Sequence, residues 1–301
     1  MVSTISGTEL QKRVEAAYNL LESCRACPRQ CGVNRLKNDK LGFCRSGLHP
    51  VVSSINVHHG EEPPLSGSRG SGTIFLTNCN LRCVYCQNYP ISQLGTGAER
   101  TPGELACQMV WLQEQGCHNL NLVTPTHFMP QILKALGIAR ERGFNLPIVY
   151  NTSGYESLEA LRLLDGIVDI YLPDMRYSDD DAARTYSVAP HYQEINCAAI
   201  KEMYRQVGNL VLDEAGIATR GLIIRHLILP AGLSGTGRIM KFLAEEISKD
   251  VHISLMSQYF PAFKAREFKE LSRRITVDEY ETAYQAMLKY GLENGWVQEF
   301  E

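Results

Sequence analysis

Six short runs rich in β-branched and aromatic residues recur along this chain with helix-period segments between them. They are Thr73 to Thr77, Asn119 to Val123, Ile148 to Asn151, Ile167 to Leu172, Leu222 to Leu229 and Val251 to Leu255. Strand followed by helix, repeated, brings successive strands back in the same direction, which builds a parallel sheet covered by helices. Helices are expected at Thr101 to Gln115, where Pro102 and Glu104 complete a capping box, and at His127 to Arg142, Ser157 to Leu164, Gln193 to Gln206 and Arg238 to Ile247. A last helix is capped by Thr276 and Glu279 and carries Tyr280, Tyr284 and Met287. Six strands are too few for a closed eight-stranded barrel, which needs ~250 residues. The expected fold is therefore α/β, a partial (β/α)6 open TIM-like barrel, with ligands gathered at the C-terminal ends of its strands.

With 301 residues, 44% of them hydrophobic, the chain has enough apolar surface for one large domain with a small attachment. We divide it into residues 1–50, an N-terminal helix and four-cysteine module, and residues 51–301, the barrel. Leu10, Val14, Ala17 and Leu21 share one face of the first helix. A net charge of −3, with basic and acidic residues interspersed, gives no field for polyanions, so neither nucleic acid nor an anionic membrane is an expected partner. The segment Met1 to Leu21 has no apolar run after a basic start, and no stretch approaches the ~20 apolar residues of a membrane span, so a cytoplasmic location is expected.

Seven of the ten cysteines fall between positions 24 and 86. In a reducing compartment that clustering reads as metal ligation, not as disulfides. Cys79, Cys83 and Cys86 form a C-x3-C-x2-C loop directly after the first strand. Three thiolates suit an iron–sulfur cluster with one iron left open, whereas a structural zinc would need a distant fourth ligand and has no reason to sit at the mouth of a parallel barrel. Cys24, Cys27, Cys31 and Cys44 supply four thiolates in a turn-rich segment with Pro28, Gly32 and Gly42. Their spacing fits a zinc ion or an auxiliary iron–sulfur cluster equally. His58 and His59 could replace a ligand or meet substrate. Cys107, Cys117 and Cys197 read as small core residues.

Cys79, Cys83, Tyr85 and Cys86 match the C-x3-C-x-aromatic-C signature of radical S-adenosylmethionine (SAM) enzymes. His59-Gly60-Glu61-Glu62-Pro63-Pro64, Gly70-Ser71-Gly72-Thr73-Ile74-Phe75 and Cys83-Val84-Tyr85-Cys86-Gln87-Asn88 further resemble the PflX-type group related to pyruvate formate-lyase activating enzymes. The resemblance implies a [4Fe-4S] cluster whose open iron chelates SAM, a reductive cleavage to the 5′-deoxyadenosyl radical, an adenine near Tyr85, and Asn88 among the cofactor-binding residues. It also implies a low-potential electron donor such as flavodoxin or ferredoxin. Where the family carries Gly-Gly-Glu, this chain has Thr124-Pro125-Thr126-His127, so Thr124 and Thr126 stand where the SAM amino group is received. Asn151-Thr152-Ser153-Gly154-Tyr155 resembles the family's Asp-Thr-Asn-Gly-Phe, and Asp174-Met175-Arg176 its Asp-Leu-Lys, which implies SAM contacts from Asn151, Thr152, Asp174 and Arg176. Since residues two apart on a strand share a face, Asp174 and Arg176 can both point into the barrel mouth.

His226 and Gln258 end later strands and are further lining candidates. The glycines of Ala231 to Gly237 suggest either an anion cradle or a simple turn. By the same resemblance the substrate includes a glycine of a partner enzyme among its candidates, beside peptides and small molecules. A reading from another class is a non-catalytic iron–sulfur or zinc protein that passes electrons or binds a partner. The strand-end groups at 151 to 155 and 174 to 176 favour the enzyme, because an electron carrier has no need of them.

Overall fold

In the computed structural model, residues 5–37 and 41–300 are described. Met1 to Thr4, which open the N-terminal module, Asn38 to Lys40 within it, and Glu301 lie outside them. Helix α1, Gly7–Glu22, is capped by the Ser6 hydroxyl, which accepts from the Glu9 amide. It buries Leu10, Val14, Ala17, Leu20 and Leu21 in the same apolar core as the barrel's helices.

Strand β1, Val51–His58, runs antiparallel to β2, Ser71–Leu76, with the short helix α2, Pro63–Ser66, between them. After β2 come α3, Tyr89–Ser92, the edge strand β3, Ala98–Glu99, and α4, Pro102–Glu114, whose capping box at Thr101 and Glu104 forms as the sequence indicates. The repeat then proceeds through β4, Leu120–Val123, α5, Met129–Glu141, β5, Ile148–Thr152, α6, Leu158–Leu163, and β6, Ile170–Pro173. Two helices follow, α7, Asp180–Ser187, and α8, Tyr192–Val207, then β7, Val211–Leu212, β8, Ala218–Leu227, α9, Thr236–Phe242, β9, His252–Met256, α10, Val277–Lys289, and β10, Gly295–Val297. The sheet order is β10-β9-β8-β6-β5-β4-β2-β1-β3, with β2 through β10 parallel along this path. It is an open barrel, closed at neither edge.

The six expected parallel strands are all present, and β10 extends them. Gly-Trp-Val at 295–297 is too short to announce itself by periodicity. Helix α7 was also not expected; Asp179 nucleates it by accepting from the Asp181 and Ala182 amides. The helix expected over Arg238 to Ile247 begins at Thr236 and passes into a single π turn from Leu243. Cys117 is buried and Cys197 half-buried, but Cys107 is exposed. It lies on the outer face of α4, opposite Leu105, Ala106, Met109 and Leu112, and receives the Arg142 guanidinium at 2.9 Å.

Inside the barrel, Leu65 of α2 packs with Val149, Ile170, Leu172, Ala218 and Ile223. The helical turn thus plugs the end of the lumen away from the cysteine loop. Asn119 fixes it by donating to the Leu65 carbonyl at 2.8 Å.

Candidate active site

The loop after β2 leaves the sheet through Asn78, whose left-handed φ of 70° turns the chain across the barrel mouth. It is then tied down by main chain: Arg82 N donates to Ser187 O, and Val84 N to Tyr186 O, at the end of α7. Each cysteine sulfur meets a donor. The Leu81 amide lies 3.3 Å from Cys79 Sγ, the Ser187 hydroxyl 3.0 Å and Arg176 Nη1 3.4 Å from Cys83 Sγ, and the Ser92 hydroxyl 3.0 Å from Cys86 Sγ. Burial and the neighbouring Cys83 push the Cys79 thiol up to about 12, and the same two causes raise Cys86. Thiols raised in this way, as those of Cys79 and Cys86 are, ionise only when a cation shares the site. Donors aimed at sulfur are what a thiolate-bound cluster uses.

Cys79, Cys83, Cys86 and Asn88 line a cavity of about 100 Å³ whose opposite wall is Thr124, Asn151, Thr152, Ser153, Asp174 and Arg176. An adjoining pocket of about 160 Å³ adds Tyr85, Leu227, Met256 and Gln258. Tyr85 is buried, its hydroxyl 2.6 Å from that of Tyr177, which in turn meets the Ser187 hydroxyl at 2.7 Å. Asp174 bridges two guanidiniums, Arg176 at 2.5 Å and Arg225 at 2.9 Å. Burial raises its carboxyl, but Arg225 and then Arg176 outweigh it and hold the group below the usual carboxylate range. Arg176 Nε and Ser153 Oγ are buried in this wall with no partner, donors of the kind a ligand carboxylate takes up. The residues present therefore fit both an iron–sulfur cluster and the amino-acid end of SAM.

Thr126 and His226 lie outside this wall. The Thr126 and Thr152 hydroxyls both donate to Glu156, a fully buried carboxylate beneath the cavity. His226 is turned away by strand parity. Ile223 faces the lumen, so Arg225 and Leu227 do too, while His226 points outward, donating Nδ1 to Met175 O at 2.7 Å and accepting from the Thr236 hydroxyl at 2.9 Å. Burial lowers it to about 4, so it stays neutral. Arg225 is the lining residue that the sequence reading missed. A charged side chain in an otherwise apolar strand, Leu222 to Leu229, was its signal. At Thr124 the backbone takes φ 60°, a conformation suited to the glycine that stands there in the family pattern. The glycine-rich segment makes a turn: Gly235 caps α9 at φ 65°, and Ser234 bonds the Leu229 amide and the Leu227 carbonyl.

The segment carrying Cys24, Cys27, Cys31 and Cys44 folds into a knot through main-chain bonds from Cys24 N to Val33 O and from Gly32 N to Cys24 O, and through the Phe43 amide on Cys31 Sγ at 3.3 Å, although among the described residues no three of its sulfurs converge on a single ion position. The knot packs on the Cys79 to Cys86 loop. Arg29 donates to Asn80 O at 2.9 Å and lies 3.7 Å over the Phe43 ring, while Arg82 donates to Phe43 O.

Glu156 carries a pH prediction. Burial pushes its carboxyl up to about 7 against the pull of the Thr126 and Thr152 hydroxyls. Between pH 4.5 and 7 the native state holds a proton that the unfolded chain has lost, so this group's contribution falls as pH rises through that window. Glu156→Gln keeps an acceptor without the charge. Its melting temperature is expected to exceed that of the wild type above pH 7, by an amount worth about 3 kcal/mol, and to match it below pH 4.5. Parallel curves across this range would contradict the assignment.

The Radical SAM superfamily profile matches residues 73–218. Over 294 residues the chain is 33% identical to the uncharacterized protein MJ0674 of Methanocaldococcus jannaschii, covering 94% of this chain and 80% of that protein. It is 24% identical over 283 residues to MJ0808 of the same organism, covering 85% of this chain and 78% of the other. Among solved structures, HydG, a maturase of the [FeFe]-hydrogenase, shares the fold with a TM-score of 0.51 over 97% of this chain and 63% of its own, at 11% identity. The chain belongs to the radical SAM superfamily and is an enzyme of that class. Membership implies a [4Fe-4S] cluster and SAM as its cofactors. No helix among the described residues is long and apolar enough to cross a membrane.

Proposed function

We propose that this enzyme abstracts a hydrogen atom from a substrate bound at the mouth of its open barrel, with Cys79, Cys83 and Cys86 as the cluster ligands. The observation that carries this reading is the shared cavity, in which three donor-supported sulfurs face the Asp174, Arg176 and Arg225 array. The cluster and SAM together supply one-electron cleavage of the sulfonium and hence the 5′-deoxyadenosyl radical. The chain's own residues do the rest. Arg176 and Ser153 offer free donors to the SAM carboxylate, Thr124, Asn151 and Thr152 line the wall beside it, and Tyr85 and Asn88 close the side toward the adenine. A low-potential donor of the flavodoxin or ferredoxin type provides the electron. The likeness to activating enzymes makes a glycyl residue of a partner enzyme one substrate to test, beside peptides and small molecules. Anaerobic reconstitution with SAM and dithionite should yield 5′-deoxyadenosine, with deuterium transferred from the correct labelled substrate. A reconstituted enzyme that binds SAM but releases none would overturn the reading.

Cys24, Cys27, Cys31 and Cys44 are proposed as a second metal site, holding zinc or an auxiliary cluster. Metal content separates the two: about four irons with zinc for the first, about eight irons for the second. About four irons and no zinc would refute both. Cys27→Ser should loosen residues 24–44 toward proteolysis while the catalytic cluster still forms, because metal binding supplies much of that segment's folding free energy.

A further inference from the structure

The segment His59-Gly60-Glu61-Glu62-Pro63-Pro64 has no part in the cysteine loop, yet it reaches the same lumen from the other side. Leu65, just after it, plugs the barrel floor, and Glu62 stands at the N-terminus of that helical turn. Glu62 is 9% exposed and its Oε2 has no hydrogen-bond partner. On β4, Asn121 is fully buried, and neither its amide nitrogen nor its oxygen has a partner with hydrogen-bond geometry. The Asn121 amide is turned toward the Glu61 carboxyl. Burial, resisted by Arg225, pushes Glu61 up to about 7.

Unpartnered polar atoms buried at this depth cost stability unless something occupies the space between them. The charges say what. From the cysteine loop inward, Arg176, Asp174 and Arg225 alternate in sign, and Asp174 already binds both guanidiniums. Arg225 directs Nε to Asp174 and Nη2 to Asn151 Oδ1 at 2.7 Å, and although near enough to act on Glu61 and Glu62 through space it forms an ion pair with neither. Glu61 and Glu62 are thus left, among the described residues, without a cation at ion-pair distance. Several acceptors and surplus negative charge match an ammonium group, which offers three donors and no acceptor.

We propose that the barrel floor is a substrate subsite for a protonated primary amine, held by the carboxylates of Glu61 and Glu62 and the amide of Asn121, with the reacting carbon directed past Arg225 toward the cysteine loop. The subsite rests on the reading of the barrel mouth as the radical centre. The amine has two sources, a free small molecule and a lysyl side chain threaded into the lumen.

Binding to the reconstituted holoenzyme is measured by equilibrium dialysis with 1,5-diaminopentane, L-lysine, L-norleucine, which lacks the side-chain ammonium, and the capped tripeptide acetyl-Gly-Lys-Gly-amide. L-lysine, or the tripeptide, should bind at least about tenfold more tightly than L-norleucine. Preference for the diamine assigns a free amine, and preference for the tripeptide a lysyl residue. Glu62→Gln should weaken amine binding about tenfold or more, and Asn121→Asp, which adds a carboxylate, should tighten it by a similar factor. The second variant keeps the test sharp if the first does not fold, since it must shift affinity the other way. Equal binding of probes with and without the side-chain ammonium, or no effect of Asn121→Asp, overturns the subsite. If that occurs in a wild type that still cleaves SAM, the subsite alone is lost. Selective amine binding by a wild type that releases no 5′-deoxyadenosine overturns the radical reading and leaves the subsite standing.

Discussion

Cys83→Ala is expected to bring SAM cleavage below detection while the chain stays folded. Cys83 is the best supported of the three sulfurs, receiving the Ser187 hydroxyl and Arg176 Nη1. The two other loop cysteines cannot replace it, because a site-differentiated cluster needs three thiolates and one open iron. Losing one buried sulfur removes little packing, so the cost in stability is about 1 kcal/mol, and the main-chain bonds from Arg82 and Val84 to α7 remain. The measurement is iron content together with 5′-deoxyadenosine formed under dithionite. Iron should fall by one cluster and the product should vanish. Undiminished product would place the electron donor elsewhere, with the four cysteines of the N-terminal knot as the next candidates.

How far the sequence reaches can be judged residue by residue. The six β-rich runs were legible because parallel strands buried on both faces are near-continuous apolar segments, and the capping boxes at Thr101 and Thr276 marked helix starts correctly. Strand β10 and helix α7 were not legible, the first for its length and the second because Asp179 to Ser187 reads as a polar loop until its caps form. In the site, choosing between Arg225 and His226 required strand parity, which the sequence alone did not supply. It becomes fixed only when Ile223 is seen in the lumen and Ile224 in the outer core. The burial of Glu156, Glu62 and Asn121 was invisible for another reason. Their roles arise from burial and from partners far apart in sequence, and no local pattern announces that a carboxylate will end up without water.

Arg176→Ala should weaken SAM binding by roughly ten- to hundredfold, the range expected when one charge-assisted contact of about 1.5–3 kcal/mol is removed from a partly dry site. The structure also says why the fold should tolerate the change. Without Arg176, Asp174 keeps Arg225 at 2.9 Å and is not left as a lone buried charge. Asp174→Ala is the harsher substitution, since it leaves two guanidiniums in the same wall with no carboxylate between them, and it should cost more stability than Arg176→Ala. Arg176→Lys restores the charge but not the planar fork and should recover only part of the affinity. Arg176 also donates to Cys83 Sγ at 3.4 Å. Removing a hydrogen bond from a cluster ligand lowers the reduction potential, so the alanine variant should be harder to reduce than the wild type, a change that a purely structural ion pair would not produce. If Arg176→Ala and Asp174→Ala both bind SAM normally, with unchanged iron content and potential, then Asp174 and Arg176 serve only to tie β6 to β8, and the SAM carboxylate is held elsewhere in the cavity.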